Sequence, residues 1–365
     1  MTDSGKAGLF SLASGLWMIS VLYGNAVRFR ILLSRLSNRD RKKLSCAVIS
    51  VGNLTMGGTG KTPMTAYLAE SIRKMGLRVV VVSRGYGGSA VKGGGVVSDG
   101  KTIRMTPVQS GDEPYMLAEQ LAGVPVLVGK DRYRMGLEAE RQFKPQVLIL
   151  DDGFQHLSLF RDLDLVLLDG RMPIGNGHLF PRGVLREPLS AMRRADAFIL
   201  TRFDPSRYDV KTFIEFEKKG YFNQKPLFRS VHVPCFAEVS RGCKTSLDPG
   251  RFIGKKVTAF SGIAQNEDFR ATLEKSGFEM ASFHPFSDHH PYTPEELESI
   301  RIRAKNSSSG LMATTEKDYS RIRGWEVSES KLIVVGIRTS VLEKEAFLEF
   351  IGNKINSTLN RTDMR

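Results

Sequence analysis

The sequence is short of the residues that staple small folds. Only three of its 365 residues are cysteine, Cys46, Cys235 and Cys243, and none stands in a CxxC or Cys/His ligand spacing. That argues against a disulfide framework or a zinc module and makes a reducing compartment the default. No internal repeat or low-complexity tract is present. Acidic residues are also in deficit: 39 Asp and Glu stand against 53 Lys and Arg, a formal net charge of +14. The expected partners are therefore anionic: nucleic acid, acidic lipid or a phosphorylated substrate. Core-forming material is plentiful, with 41% hydrophobic residues, which excludes a disordered or fibrous chain.

From Gly8 to Val27 no residue is charged. As helix this run reaches about 30 Å, enough to cross a bilayer. Spanning is the preferred reading, and a tilted helix lying in the interface is the alternative, because Ser11, Ser14, Ser20, Asn25 and three glycines dilute the run. Beyond it come Arg28, Arg30, Arg35, Arg39, Arg41, Lys42 and Lys43 against Asp40, whereas the leading flank has only Asp3 and Lys6. The positive-inside rule then puts the body in the cytoplasm. A cleaved signal peptide fits less well, since the n-region is nearly uncharged and no small-x-small site follows.

After residue 45, short β-branched runs alternate with amphipathic stretches, the pattern of a doubly wound α/β sheet. Strands are expected at 47–52, 78–83, 125–128, 146–151, 163–169 and 197–201, with helices at 62–75, 113–122 and 133–143. A second, smaller α/β alternation begins near Lys255, with strands at 256–261, 278–283, 311–315 and 331–337 and helices near 266–276, 294–305 and 341–355. The irregular stretch 205–250 reads as a linker. The expected division is 1–45 (membrane-associated helix and basic flank), 46–220 (P-loop domain) and 221–365 (linker and smaller domain).

Residues 48–62, VISVGNLTMGGTGKT, form an apolar strand, a glycine-rich turn and a helix start. Glycine lets backbone N–H groups converge on phosphate oxygens, so Gly57, Gly58, Thr59, Gly60, Lys61 and Thr62 are candidate nucleotide ligands. Lys61 supplies a cation, and the Thr62 hydroxyl can ligate Mg²⁺. The strict motif wants glycine where Thr55 stands. An acidic metal partner is required at a neighbouring strand end, and Asp151 and Asp152 after an apolar run supply it. Met56 lacks the signature lysine of partitioning-type switch ATPases, and Thr201-Arg-Phe-Asp204 is a poor match to a GTPase base-reading motif. A membrane-associated ATPase switch and a nucleic-acid-binding ATPase are the rival readings. Asp112 and Glu113 read equally well as a helix start or as catalytic carboxylates.

Several motifs together resemble the tetraacyldisaccharide 4'-kinase family, lipid A enzymes of Gram-negative bacteria. They are the apolar N-terminus, Gly52-Asn53-Leu54 leading into the loop, Ser83-Arg-Gly-Tyr-Gly87, Gly111-Asp-Glu-Pro114, Asp151-Asp-Gly-Phe-Gln-His156, Arg182-Gly-Val-Leu-Arg-Glu-Pro188, Gly262-Ile-Ala264 and Asp288-His289. Thr55 agrees with that family's loop; Gln265-Asn266 after Ala264 is a small departure from it. The resemblance implies ATP-dependent phosphorylation of a lipid disaccharide with Mg²⁺, at the cytoplasmic face of the inner membrane and without nucleic acid. It implies Asp112 as catalytic base assisted by His289, with Lys61 also catalytic, and Glu113 near the metal. Choosing His289 over His290 rests on motif alignment. If His289 reaches Asp112, the two domains face one another across a cleft. Arg84, Tyr86, His156, Arg182 and Arg186 are candidate substrate contacts. The loop 171–194, which also carries Arg171, Arg193 and Arg194, reads either as a phosphate-gripping loop or as a solvated basic one.

Overall fold

The computed structural model describes residues 12–36, 41–206, 210–222, 224–240, 243–307, 310–323, 325 and 331–363. Buried runs of Val, Ile and Leu set the architecture, because strands covered on both faces need no polar alternation. The chain begins with α1 (Leu12–Leu36) and continues through β1 (Ala47–Asn53), α2 (Lys61–Lys74), β2 (Val79–Ser83), β3 (Gly95–Ser98), α3 (Pro107–Ser110), α4 (Asp112–Gln120), β4 (Val126–Val128), α5 (Arg132–Phe143), β5 (Val147–Asp151), β6 (Leu163–Asp169) and β7 (Ala197–Thr201). It goes on with α6 (Val210–Lys218), β8 (Leu227–Ser240), β9 (Cys243–Leu247), β10 (Lys256–Ser261), α7 (Asn266–Lys275), β11 (Glu279–Pro285), α8 (Pro294–Asn306), β12 (Leu311–Thr315), α9 (Glu316–Arg321), β13 (Lys331–Val341) and α10 (Lys344–Asp363).

The strands order as β11-β10-β12-β13-β8-β7-β6-β1-β5-β2-β4-β3, with β9 on β8. In the first lobe β1 lies between the parallel strands β5 and β6, with Val51 opposite Asp151. The glycine-rich turn after β1 and the carboxylates after β5 therefore leave the sheet side by side, outside the carboxyl ends of the strands where α/β folds bind ligands.

The segment read as a linker is instead the seam of the molecule. It contains α6, β8 and β9, and β8 is the longest strand, at 14 residues. Leu227, Phe228 and Arg229 pair with β7 in parallel, and from Ser230 onward the same strand pairs with β13 in the antiparallel sense. Pro234 and the irregular mix of polar and apolar residues along it hid the strand. Both halves thus share one sheet. The C-terminal helix crosses back as well: Phe347, Ile351 and Ile355 of α10 are buried with Ile49 and Leu68 of the first lobe, although they lie within the expected 221–365 segment. A separate cluster around Phe236, Phe252, Val257, Phe269 and Phe278 fills the second lobe.

Helix α1 lies side-on against the body. Ser20, Tyr23, Gly24 and Val27 follow the i, i+3, i+4, i+7 rule and share one face. Ser20 Oγ donates to the Leu179 carbonyl (3.0 Å) and accepts from the Arg182 amide (2.9 Å). Tyr23 Oη donates to the Arg186 carbonyl at 2.9 Å, and a Cβ on Gly24 would meet Leu179 at 2.7 Å. The other face exposes Trp17, Met18, Val21, Leu22, Phe29, Leu32 and Leu33.

Replacing Phe347 by Ala tests whether α10 belongs to the first-lobe core. The side chain is fully buried and packs edge-on against Phe228, with ring centroids 5.0 Å apart. We expect a loss of about 3 to 5 kcal/mol in denaturant unfolding; a change below about 1 kcal/mol would count against α10 as core.

Candidate active site

The glycine-rich turn is held from three sides. Gly60 adopts φ +82° ahead of α2, a conformation open to glycine at no steric cost. Ahead of it, the Met56 amide donates to the Val184 carbonyl (2.6 Å) and the Arg186 amide to the Leu54 carbonyl (2.7 Å), so residues 54–56 pair with 184–186 like a short ribbon. Thr201 Oγ1, at the end of β7, donates to the Thr59 carbonyl at 2.9 Å. The third side is the second lobe: His232 of β8 lies so close that a Cβ on Gly60 would sit 2.7 Å from its Nε2, and a Cβ on Gly58 would lie 3.6 Å from Gln265.

Lys61 Nζ stands 3.7 Å from Asp152, whose two oxygens also accept from Arg186 at 3.1 and 3.0 Å. Burial works against ionisation of Asp152, yet Lys61 and Arg186 hold its pKa below the ordinary value. Asp151 is fully enclosed and accepts from Thr65 (3.0 Å) and Ser83 (3.1 Å). Its pKa is pushed up to about 7 by burial, then by the charges of Glu113 and Asp152. Three mutually repelling carboxylates beside a phosphate loop fit a hard divalent cation, which relieves that repulsion and prefers oxygen ligands. Among the described residues no group of three His, Cys, Asp or Glu side chains is placed to hold a metal ion.

Asp112 opens α4 after Gly111, which has φ +87°. Its Oδ2 accepts from His289 Nδ1 at 3.0 Å and from Arg321 Nε and Nη2 at 2.9 and 2.5 Å. Lys317 donates to Asp288 at 3.1 Å and lies 3.1 Å from His289 Nε2, and Arg321 Nη2 lies 3.0 Å from His289 Nδ1, so the imidazole is held between two cations and the Asp112 carboxylate. Oδ1 of Asp112 has no hydrogen-bond partner among the described residues. Arg321 is itself tied to buried Asp318 (3.1 Å) and to the Gly262 carbonyl (3.2 Å). His290 turns elsewhere, to Glu296 at 2.9 Å and onto the Phe286 ring. The two lobes thus meet across Asp112, at the edge of a cavity of about 1260 Å³ that Tyr86, Ile103, Val108, Tyr115 and Arg323 also line.

The remaining sequence candidates scatter. Tyr86 borders the cleft and is 76% exposed. His156 lies in a different cavity, with its ring against Ser158. Arg182 is exposed and engages its neighbours through its backbone. The solvated-loop reading of 171–194 gives way to a network of ion pairs: Arg171 bridges Asp169 and Asp268, Arg186 holds Asp152, and Arg194 binds Glu187. Glu187 is completely buried and also accepts from Arg30 of α1 at 3.1 Å. Sequence reasoning missed Lys317 and Arg321 because α9 was not foreseen. A signal existed: Thr315 caps the amide of Asp318 three residues on. Arg132, buried with its guanidinium on the Gly129 carbonyl and coupled electrostatically to Asp151, was missed too.

His232 gives a pH test. Burial, reinforced by Arg202, pushes its pKa down to about 4. The unfolded chain takes up this proton near pH 6.5, so the stabilisation is complete above that pH and is lost as pH falls toward 4, by up to about 3 kcal/mol. Urea unfolding between pH 7 and pH 4.5 should show this slope in the parent and a shallower one in His232→Gln; equal slopes would refute it.

The family model for tetraacyldisaccharide-1-P 4'-kinase matches residues 12–356. A tetraacyldisaccharide 4'-kinase of Desulfatibacillum aliphaticivorans is 41% identical over 93% of this chain and 91% of its own. One of Syntrophus aciditrophicus is 42% identical over 84% and 83%. The solved structure of LpxK from Aquifex aeolicus in complex with ATP superposes with a TM-score of 0.76 at 33% identity, covering 94% of this chain and all of that one. The chain belongs to the tetraacyldisaccharide-1-P 4'-kinase family.

Proposed function

We propose that this protein is an ATP-dependent kinase that transfers the γ-phosphoryl group to the 4'-hydroxyl of a tetraacyldisaccharide 1-phosphate. The observation that carries the reading is the Asp112–His289 hydrogen bond across the lobes, in a first lobe that also presents a Gly-Lys-Thr phosphate loop. Residues 57–62 would cradle the nucleotide phosphates, with Lys61 neutralising charge. Thr62, Glu113, Asp151 and Asp152 would hold Mg²⁺, which when bound shields the phosphate charges and aligns them for transfer. Arg186 would shift from Asp152 toward the phosphates or the sugar.

Asp112 is the proposed base. Its oxygen without a partner would take the proton of the acceptor hydroxyl as the new O–P bond forms and the bond to the β-phosphate bridging oxygen breaks, releasing ADP. His289, through Nδ1–H, would orient the carboxylate, and Arg321 would keep it anionic until the proton arrives. Arg84, Tyr86, Arg182 and His156 stay proposed contacts to the sugar phosphate. We divide the chain into a membrane segment (1–45), a nucleotide-binding part (46–220) and a closing part (221–365), with α10 returning to the second of these. Side-on docking of Ser20, Tyr23 and Gly24 favours an α1 that lies in the interface at the cytoplasmic face of the inner membrane over one that spans it. A helix crossing the bilayer at those residues would draw the 179–187 loop into hydrocarbon.

Mass spectrometry of a tetraacyldisaccharide 1-phosphate incubated with Mg-ATP and the full-length protein in detergent tests the reaction. We expect one added phosphoryl group at the 4'-position. Lys61→Ala should abolish it by weakening nucleotide binding. Asp112→Asn should lower kcat by about 10² to 10⁴ with nucleotide affinity kept. Normal transfer by Asp112→Asn would remove the base assignment, and no transfer by the parent would remove the kinase.

A further inference from the structure

The loop 179–187 lies between helix α1 and the glycine-rich turn, and its polar contacts divide between the two. Toward the turn, the Val184 carbonyl accepts from the Met56 amide, the Arg186 amide donates to the Leu54 carbonyl, and the Arg186 guanidinium holds both oxygens of Asp152. Toward α1, the Leu179 carbonyl and the Arg182 amide share the Ser20 hydroxyl, and the Arg186 carbonyl accepts from Tyr23. The Tyr23 ring also meets Phe180 edge-on, with centroids 6.1 Å apart. The backbone of Arg186 is therefore pinned on both sides, its amide to the turn and its carbonyl to α1.

The next residue makes the link to α1 costly to break. Glu187 is completely buried, and its two oxygens are taken separately: Oε1 by Arg30 of α1 at 3.1 Å, and Oε2 by Arg194 of the body at 2.6 Å. Arg30 reaches in from a side chain that is itself more than half exposed. With Arg30 withdrawn, Oε1 would become an enclosed carboxylate oxygen without a donor, which is strongly unfavourable. Hydrating it requires the loop to move, and Val184 and Arg186 move with it. A helix that served only to touch an apolar surface would need none of these contacts. An arginine gives up rotamer freedom when it engages phosphate, and that penalty falls when its backbone is already fixed.

We propose that α1 is a positioning element of the nucleotide site: by docking Tyr23 and Arg30 on the 179–187 loop it preorganises Arg186 and the 54–56 ribbon, so that nucleotide affinity depends on the helix being seated. This coupling rests on the kinase reading above, which places the nucleotide phosphates against residues 57–62. By linkage the dependence is mutual, and bound nucleotide seats the helix more firmly by the same factor.

Full-length parent, Tyr23→Phe, Tyr23→Phe/Arg30→Gln and Leu22→Ala are titrated in neutral detergent with Mg²⁺ and a non-hydrolysable ATP analogue. Phosphoryl transfer is measured in parallel at saturating lipid, and amide hydrogen exchange in α1 is followed with and without the analogue. The double variant is expected to bind the analogue about five- to tenfold more weakly than the parent, with the KM for ATP rising by the same factor and kcat changing by less than about twofold. Tyr23→Phe, which loses one hydroxyl and keeps the ion pair, should lose roughly two- to threefold. Leu22 is 65% exposed, and its truncation should leave the affinity at the parent value. In the parent the analogue slows exchange of the α1 amides, and in the double variant it does so less. Parent-like affinity in both Tyr23 variants overturns the coupling, as does an equal loss in Leu22→Ala or α1 exchange in the parent that ignores the nucleotide. Where the unfolding midpoint shows the double variant to be poorly folded, Tyr23→Phe and the exchange in the parent decide. Transfer by a parent whose variants keep full affinity removes the coupling and keeps the kinase; a parent that shows the coupling but transfers no phosphoryl group refutes the kinase and leaves the coupling standing.

Discussion

One carboxylate oxygen joins the two lobes across their cleft. Asp112 Oδ2 receives hydrogen bonds from His289 and Arg321, both on the far side of the cleft, so a group from the first lobe is completed by partners from the second. Such an oxygen is costly to leave unpaired in a partly enclosed site. The chain answers with a supported stack: buried Asp318 holds Arg321, Arg321 holds Asp112, and Lys317 stands against the far nitrogen of His289. Each member is oriented by the next, which restrains the carboxylate of Asp112 while its other oxygen has no hydrogen-bond partner among the described residues.

The nucleotide side is arranged on a different principle. There Glu113 and Asp152 act on the buried carboxylate of Asp151, and the Lys61 charge and the Thr65 hydroxyl offset part of that repulsion. Lys61 and Arg186 provide part of that relief in this structure. Arg186 also ties the site to α1, since its carbonyl accepts from Tyr23 and its neighbour Glu187 is pinned between Arg30 and Arg194. A helix whose exposed face is apolar is thus fastened by hydrogen bonds to the loop that braces the phosphate-binding turn.

What could be read in the sequence was what is local. The strand, glycine turn and helix of the phosphate loop are contiguous, as are the apolar run and its two terminal carboxylates, so periodicity and turn chemistry revealed them. The 112–289 pairing came from resemblance, because nothing in residue spacing says that positions so far apart in sequence will touch. The seam strand β8 escaped notice because its partners change along its length, and neither half of it has the uniform burial that a pattern detects. The arginines of 171–194 looked free for the same reason: their carboxylate partners Asp152 and Asp268 lie on other elements. The helix α1 was legible as a run of uncharged residues, but its side-on attachment depends on which face meets the 179–187 loop, and that is a tertiary fact.

The return of α10 bears on the order in which the molecule can be made. Chain synthesis delivers α1 first, next the strands of the first lobe, then the whole excursion from Ser230 to Val341, and last the helix carrying Phe347, Ile351 and Ile355. Those side chains share a buried cluster with Ile49 and Leu68, so the nucleotide-binding lobe lacks part of its interior until the final helix emerges. Through that interval α1 and every strand of the first lobe are already out of the ribosome. The lobe that carries the glycine-rich turn is therefore closed only by the last helix to be made.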